Sequence, residues 1–135
     1  MASSIRSDDL FNASTWLVDR HVSEGRGDRV AIRCDGQSVT YAELQELIER
    51  AAGALRAMDL QPEQRVAMVM LDSVEFVATF LGAMRVGAIP LPINPLLPGR
   101  DLGAIIADSR ARVVVVSGER AASIPDLVAA APEVS

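Results

Sequence analysis

At 135 residues, half of them hydrophobic and under a quarter charged, the chain suffices for one domain, or part of one, with a sizeable core. A net charge of −5 argues against nucleic acid, whose binders displace phosphate counterions with clustered cations, and against anionic membrane surfaces. All thirteen basic residues are arginine, which excludes a Walker-type phosphate loop and Schiff-base chemistry, because both need lysine.

Residues 1–10 are polar and are expected to form a flexible N-terminus, leaving 11–135 as one α/β subdomain. No apolar core precedes a cleavage site, so no secretory leader is read, and no apolar run approaches the roughly 20 residues that span a bilayer. With a lone Cys34 unable to close an internal disulfide, the expected compartment is the cytoplasm. Asn12 is placed to cap a first helix ending near residue 23, with Trp16, Leu17 and Val22 facing inward. Residues 24–28 follow as a loop. Its Gly25-x-Gly27 does not succeed a strand, so it is no dinucleotide fingerprint. The Arg26-Gly27-Asp28 triplet is expected by chance in so Arg- and Gly-rich a segment.

Residues 30–34 read as a strand, Asp35-Gly36 as a tight turn and 38–40 as the returning strand. Thr40 with Glu43 forms a capping box. The helix behind it sets Tyr41, Leu44, Leu47, Ile48, Ala51, Leu55 and Met58 on one face. Glu43, Glu46, Glu49, Arg50 and Arg56 lie mostly on the other, a solvated face on which Glu46 and Arg50 have the i,i+4 order of an ion pair.

Residues 66–71 form an unbroken apolar run, too short for an ordinary helix, and read as a strand buried on both faces. Asp72 or Ser73 caps the next helix, Glu75 suits the positive end of its dipole, and Val74, Val77, Phe80, Leu81 and Met84 recur at helical spacing. Gly87 ends it with positive φ. Residues 88–91 are a short parallel strand stopped by Pro92 and Pro95, so the unit is a strand–helix–strand crossover. Residues 99–108 predict a helix with Leu102, Ile105 and Ile106 inward. Val113 to Val116 are four β-branched residues of a second core strand. A loop over 118–123 leads to a last helix opened by Pro125. The pattern is α/β: a layered sheet of parallel strands with helices on both faces.

No catalytic, cofactor-binding or metal-ligating residue is assigned from these patterns. One cysteine and one histidine make no zinc cluster, and no nucleophile elbow exists for His21 to serve. His21 reads as a surface or packing residue. Asp8 and Asp9 are paired acids, but no apolar strand precedes them and no lysine answers them, as a phospho-receiver requires. Gly82 and Gly87 have the gap of a phosphate loop yet stand at the end of a helix without lysine after them.

Two stretches carry a resemblance. Val39-Thr40-Tyr41-Ala42-Glu43-Leu44 resembles the first core motif of the adenylate-forming enzymes, a superfamily of acyl- and aryl-CoA synthetases, luciferases and peptide adenylation domains. Residues 81–95, LGAMRVGAIPLPINP, resemble its second, although the family usually has lysine at Arg85 and often alanine at Val86. Phe11-Asn12-Ala13, Trp16 to His21, Gly25 to Asp28, Ile93 to Leu97 and Asp108 to Arg112 are similar to the benzoate- and hydroxybenzoate-CoA ligases within it. The resemblance implies the first subdomain of an ATP-dependent carboxylate–CoA ligase, with an aromatic acid such as benzoate favoured over a fatty acid. It implies ATP, Mg and coenzyme A for the parent enzyme and none for this stretch, because the family's phosphate loop, ribose-binding aspartate and catalytic lysine have no counterpart here. The chain is therefore expected to be an inactive fragment that partners the rest of the ligase and self-associates through uncovered apolar surface. The alternative is a stand-alone α/β binding or scaffold module derived from such a subdomain.

Overall fold

In a computed structural model, the structure describes residues 11–134; the expected flexible tail of residues 1–10, with Asp8 and Asp9, lies outside them. The chain opens with a π-helical turn, Thr15–Asp19, that runs into the short helix α1, Arg20–Ser23. An antiparallel hairpin follows, β1 (Val30–Cys34) with β2 (Gln37–Thr40). Asp35 and Gly36 take φ of 49° and 78°, the left-handed pair that lets a two-residue turn follow the twist of its strands. Helix α2, Tyr41–Ala57, starts on the complete capping box of Thr40 and Glu43.

Strands β3 (Arg65–Val69), β4 (Ile89–Pro92) and β5 (Val113–Val116) make a parallel sheet in the order β4-β3-β5. Helix α3, Val74–Arg85, connects β3 to β4, and α4, Gly99–Ser109, connects β4 to β5. A 3-10 turn over Gly118–Ser123 leads into α5, Ile124–Ala130, with proline in its first turn.

Alternation along β3 divides the core. Val66 and Met68 face Leu55 of α2 and Ala83 of α3. Ala67 and Val69 face Leu102 and Ile106 of α4 and Leu127 of α5. All four strand residues are fully buried, so the middle strand is apolar throughout because helices cover both of its faces. A third cluster, Val18, Leu44, Ile48 and Leu81, joins the first turn to α2 and α3, with Ala31, Ile32 and Val39 of the hairpin against it.

Tight helix ends position these layers. Ser73, not Asp72, caps α3 by accepting from the Phe76 amide at 3.1 Å. At its other end the Gly87 and Ala88 amides donate back to the Met84 and Ala83 carbonyls, a Schellman closure that needs the positive φ of Gly87. Where α2 and α3 cross, a Cβ on Gly82 would lie 2.8 Å from the Ala51 Cβ and 3.0 Å from the Ala52 amide nitrogen. Gly82 thus sets the spacing of two helices.

Several sequence expectations need correction. In the first turn Val18 is buried and Leu17 is 51% exposed, because the wider π turn rotates the inward face away from 3.6-residue spacing. The strand in 66–71 ends at Val69, and Leu71 turns outward as the chain bends toward the Ser73 cap. The strand expected over 88–91 is Ile89–Pro92, because Ala88 closes the preceding helix. Met58 and Ile105 are exposed: Met58 lies past the last packed turn of α2, and Ile105 is on the outer side of α4. The expected loop over residues 118–123 is the 3-10 turn.

Candidate functional site

In open parallel sheets ligands bind beyond the carboxyl ends of the strands, so that end is the first place to look for chemistry. Three segments meet there: residues 70–73 after β3, 93–97 after β4 and 117–120 after β5. Their polar atoms engage one another. The Leu71 amide donates to Ser117 Oγ at 2.8 Å, and the Ser117 amide donates to the Val69 carbonyl at 3.2 Å. Asn94 Oδ1 accepts from the Leu96 amide at 3.0 Å, turning the chain beyond β4. From the 3-10 turn, Arg120 donates through Nη2 to the Pro95 carbonyl and to the Leu97 carbonyl, the latter at 3.1 Å. Arg120 therefore ties the loop after β4 to the loop after β5 and aims its charge at backbone dipoles.

A second polar assembly lies at the end of α3. The Arg85 side chain, 8% exposed, pairs with Asp19 of the π-helical turn at 2.6 Å and with Glu49 of α2. Asn12 reinforces the same junction by donating Nδ2 to the Met84 carbonyl at 3.0 Å, while its Oδ1 accepts from the Ser14 amide as a cap. Among the described residues, the ion pair on α2 is thus Glu49 with Arg85, rather than the expected Glu46 with Arg50. Partners 36 and 66 residues apart leave no local sequence pattern, so sequence reasoning missed this junction.

The third assembly surrounds His21. Its ring lies 4.2 Å from that of Tyr41, and Arg26 donates to Nδ1 from Nε and Nη2 at 3.2 and 3.0 Å. Acceptance at Nδ1 places the neutral ring's proton on Nε2, which sits 3.4 Å from Arg20 Nη2. Desolvation first, then the charges of Arg20 and Arg26, hold the His21 pKa below its usual value, with Glu24 opposing them. A neutral imidazole that accepts from arginine and stacks on tyrosine is a packing group for the first turn, Gly25-Arg26-Gly27 and α2.

The remaining candidates are dispersed. Cys34 stands at the hairpin tip with its thiol pKa raised, by desolvation first and then by Asp35, which suppresses the thiolate. Gly87 is a helix cap and Gly82 a helix contact, so neither belongs to a phosphate loop. Glu43 has its pKa lowered by the hydrogen bonds from the Thr40 amide and hydroxyl, and serves the capping box. Among the described residues, no three His, Cys, Asp or Glu side chains are grouped to hold a metal ion, and no helix is long and apolar enough to cross a membrane.

Both resembling motifs now have a geometric meaning. The first is a capping box that starts α2. The second supplies the close-packing Gly82, the bridging Arg85, the Gly87 closure and the proline-bearing β4. Comparison with known proteins agrees: the family model described as AMP-binding enzyme matches residues 18–135. The chain belongs to that family. It is 40% identical over 117 residues to a benzoate–CoA ligase of Thauera aromatica, covering 86% of this chain and 22% of that one. A 4-hydroxybenzoate–CoA/benzoate–CoA ligase of Rhodopseudomonas palustris is 37% identical over 109 residues, covering 81% and 20%. Among solved structures, a benzoate CoA ligase from Burkholderia xenovorans LB400 superposes with a TM-score of 0.83 at 36% identity, covering 90% of this chain and 24% of that one. The chain corresponds to the N-terminal part of the family's acyl- and aryl-CoA ligases and spans about a fifth of the length of the curated relatives it matches. Its sheet with helices is the fold of their N-terminal domain.

Proposed function

We propose that residues 11–135 are the scaffold subdomain of a cytoplasmic aryl-CoA ligase whose substrate is a small aromatic carboxylate such as benzoate, and that no catalytic or cofactor-binding residue lies within them. The observation that carries the reading is the engagement of polar groups at the carboxyl end of the sheet. Ser73, Ser117 and Arg120 all hold backbone there, which supports a bracing role for them rather than one in cradling ATP, Mg or coenzyme A. These residues do not fit those groups, so no chemical step is assigned to them. Their role is to hold the first parallel sheet rigid for reactive partners elsewhere in the ligase.

Identity to two ligases named for benzoate supports the aromatic substrate. The test reads the gene past the codon for Ser135 and assays the encoded protein for acid-dependent AMP formation with benzoate and with hexanoate. Faster turnover of benzoate is expected. A stop codon directly after Ser135, or a preference for hexanoate, would overturn the reading.

A further inference from the structure

Residues 24–29 are fastened to the first turn of α2 by contacts that converge on His21. The Tyr41 and Ala42 amides open α2 and have no acceptor within it, and they donate to the Arg29 and Gly27 carbonyls, each at 3.0 Å. A Cβ on Gly27 would stand 3.5 Å from the Ala42 Cβ, so the loop backbone lies directly on the helix. One side chain ties the loop to α1 as well: the Arg26 guanidinium donates to His21 Nδ1, while the His21 ring rests on that of Tyr41. Gly25, with φ of 77° and nothing within 4 Å of its Cβ position, is a free hinge between α1 and this loop.

The His21 ring accepts from Arg26 only while it is neutral. A proton on Nδ1 sets donor against donor and cation against cation. Arg20 of α1 faces the other ring nitrogen at 3.4 Å, and Arg29 adds a third positive charge from the end of the loop. Glu24 alone opposes these arginines, and it is already paired with Arg26. Of the other acids on the adjoining elements, Asp19 is bound to Arg85, and Glu43 accepts from the Thr40 amide and hydroxyl. Asp28 makes no ion pair among the described residues.

We propose that His21 and Arg26 form an acid-sensitive latch: protonation of the imidazole ejects the Arg26 side chain and lets residues 24–29 swing about Gly25 off the Tyr41 and Ala42 amides. Desolvation first, then Arg20 and Arg26, hold the His21 pKa of the closed state below the ordinary histidine value of 6.5. Closure is therefore complete above that value and is lost as pH falls through and below it. The parts of the latch all lie within residues 20–42 and use no edge of the sheet. What it controls is the start of α2, the helix whose Leu44 and Ile48 hold the first turn and the hairpin.

Amide hydrogen exchange of the 135-residue chain at pH 7 and pH 5.5, with intrinsic rates divided out, tests the latch. Tyr41 and Ala42 should exchange faster than Ala67 and Met68 in the middle of the sheet. Their protection should fall about tenfold between the two pH values, the worth of one hydrogen bond to a charged group. His21→Gln should abolish that fall. Arg26→Ala, on the half-exposed loop, should show at pH 7 the protection that the parent shows at pH 5.5, and its His21 ring should titrate higher by NMR. Protection at Tyr41 and Ala42 equal to that at Ala67 and Met68 would mean that the loop parts only when the whole chain unfolds, and overturns the proposal. So does a fall with pH that survives His21→Gln, or an Arg26→Ala chain that keeps the parent's protection at pH 7.

Discussion

Adding one methyl group at Gly82 separates a packing glycine from a loop glycine. In a solvated helix Gly→Ala stabilises by about 1 kcal/mol, since alanine has less backbone freedom to lose. At Gly82 the new Cβ would stand 2.8 Å from the Ala51 Cβ, 3.0 Å from the Ala52 nitrogen and 3.2 Å from the Ile48 carbonyl oxygen. Carbon atoms prefer separations near 3.5–4.0 Å, so α2 and α3 must part by roughly 1 Å. That opens the cluster of Val18, Leu44, Ile48 and Leu81, all at least 93% buried. Overpacking of this kind costs about 1–3 kcal/mol, and collision with backbone places it near the upper end. Net of the helical gain, Gly82→Ala should lose about 2 kcal/mol, or roughly 6–10 °C in Tm for a chain of this size. Gly53, on the exposed side of α2 with nothing within 4 Å of its Cβ position, is the internal control. Gly53→Ala should raise Tm by about 2–5 °C. Thermal melts by circular dichroism, with urea midpoints at constant m, measure both. A Gly82→Ala protein that melts at or above the parent temperature would refute the reasoning.

Arg85→Ala leaves Asp19 and Glu49 facing a buried void and should cost about 2 kcal/mol, between the values for buried and exposed pairs, since Glu49 is half in solvent. Arg85→Lys, the residue usual in the family, should recover more than half of that loss in urea melts; equal losses would mean that the charge does not matter. His21 has a folded pKa below the ordinary histidine value of 6.5, so the unfolded chain binds the extra proton first. Its contribution to stability is therefore complete above pH 6.5 and is lost as pH falls through and below that value. His21→Gln should flatten the urea midpoint between pH 7 and 5.5, and an unchanged slope would contradict the lowered pKa. Thr40→Ala removes the acceptor for the Glu43 amide and half of the capping box, and should cost about 1 kcal/mol with early fraying of α2 by hydrogen exchange.

Strand and cap positions were legible because local patterns determine them. Val66 to Val69 and Val113 to Val116 form strands wherever helices cover both faces, and Thr40 with Glu43 closes its box within one turn. Facing errors arose where helix geometry or context departs from the ideal. The π turn at Thr15–Asp19 puts Val18 inward in place of Leu17, and Met58 continues the α2 stripe past the last residue with anything to pack on. Long-range partners escaped altogether. Arg85 was noted only as the family's usual lysine position in the second motif, although Asp19 and Glu49 converge on it, and Gly82 read as half of a loop spacing, although Ala51 presses on it from another helix. The candidate site followed the same division. His21, alone in composition, read as a surface or packing residue, and its contacts with Tyr41 and Arg26 are those of packing. The bracing of Pro95 and Leu97 by Arg120 left no signal, because carbonyl acceptors carry no residue identity.

Calorimetric titration of Mg-ATP into the 135-residue chain tests the scaffold reading most directly. With Ser73, Ser117 and Arg120 all holding backbone, no saturable heat is expected up to millimolar nucleotide. Stoichiometric binding at micromolar concentration would contradict it, and would place a nucleotide site among these arginines.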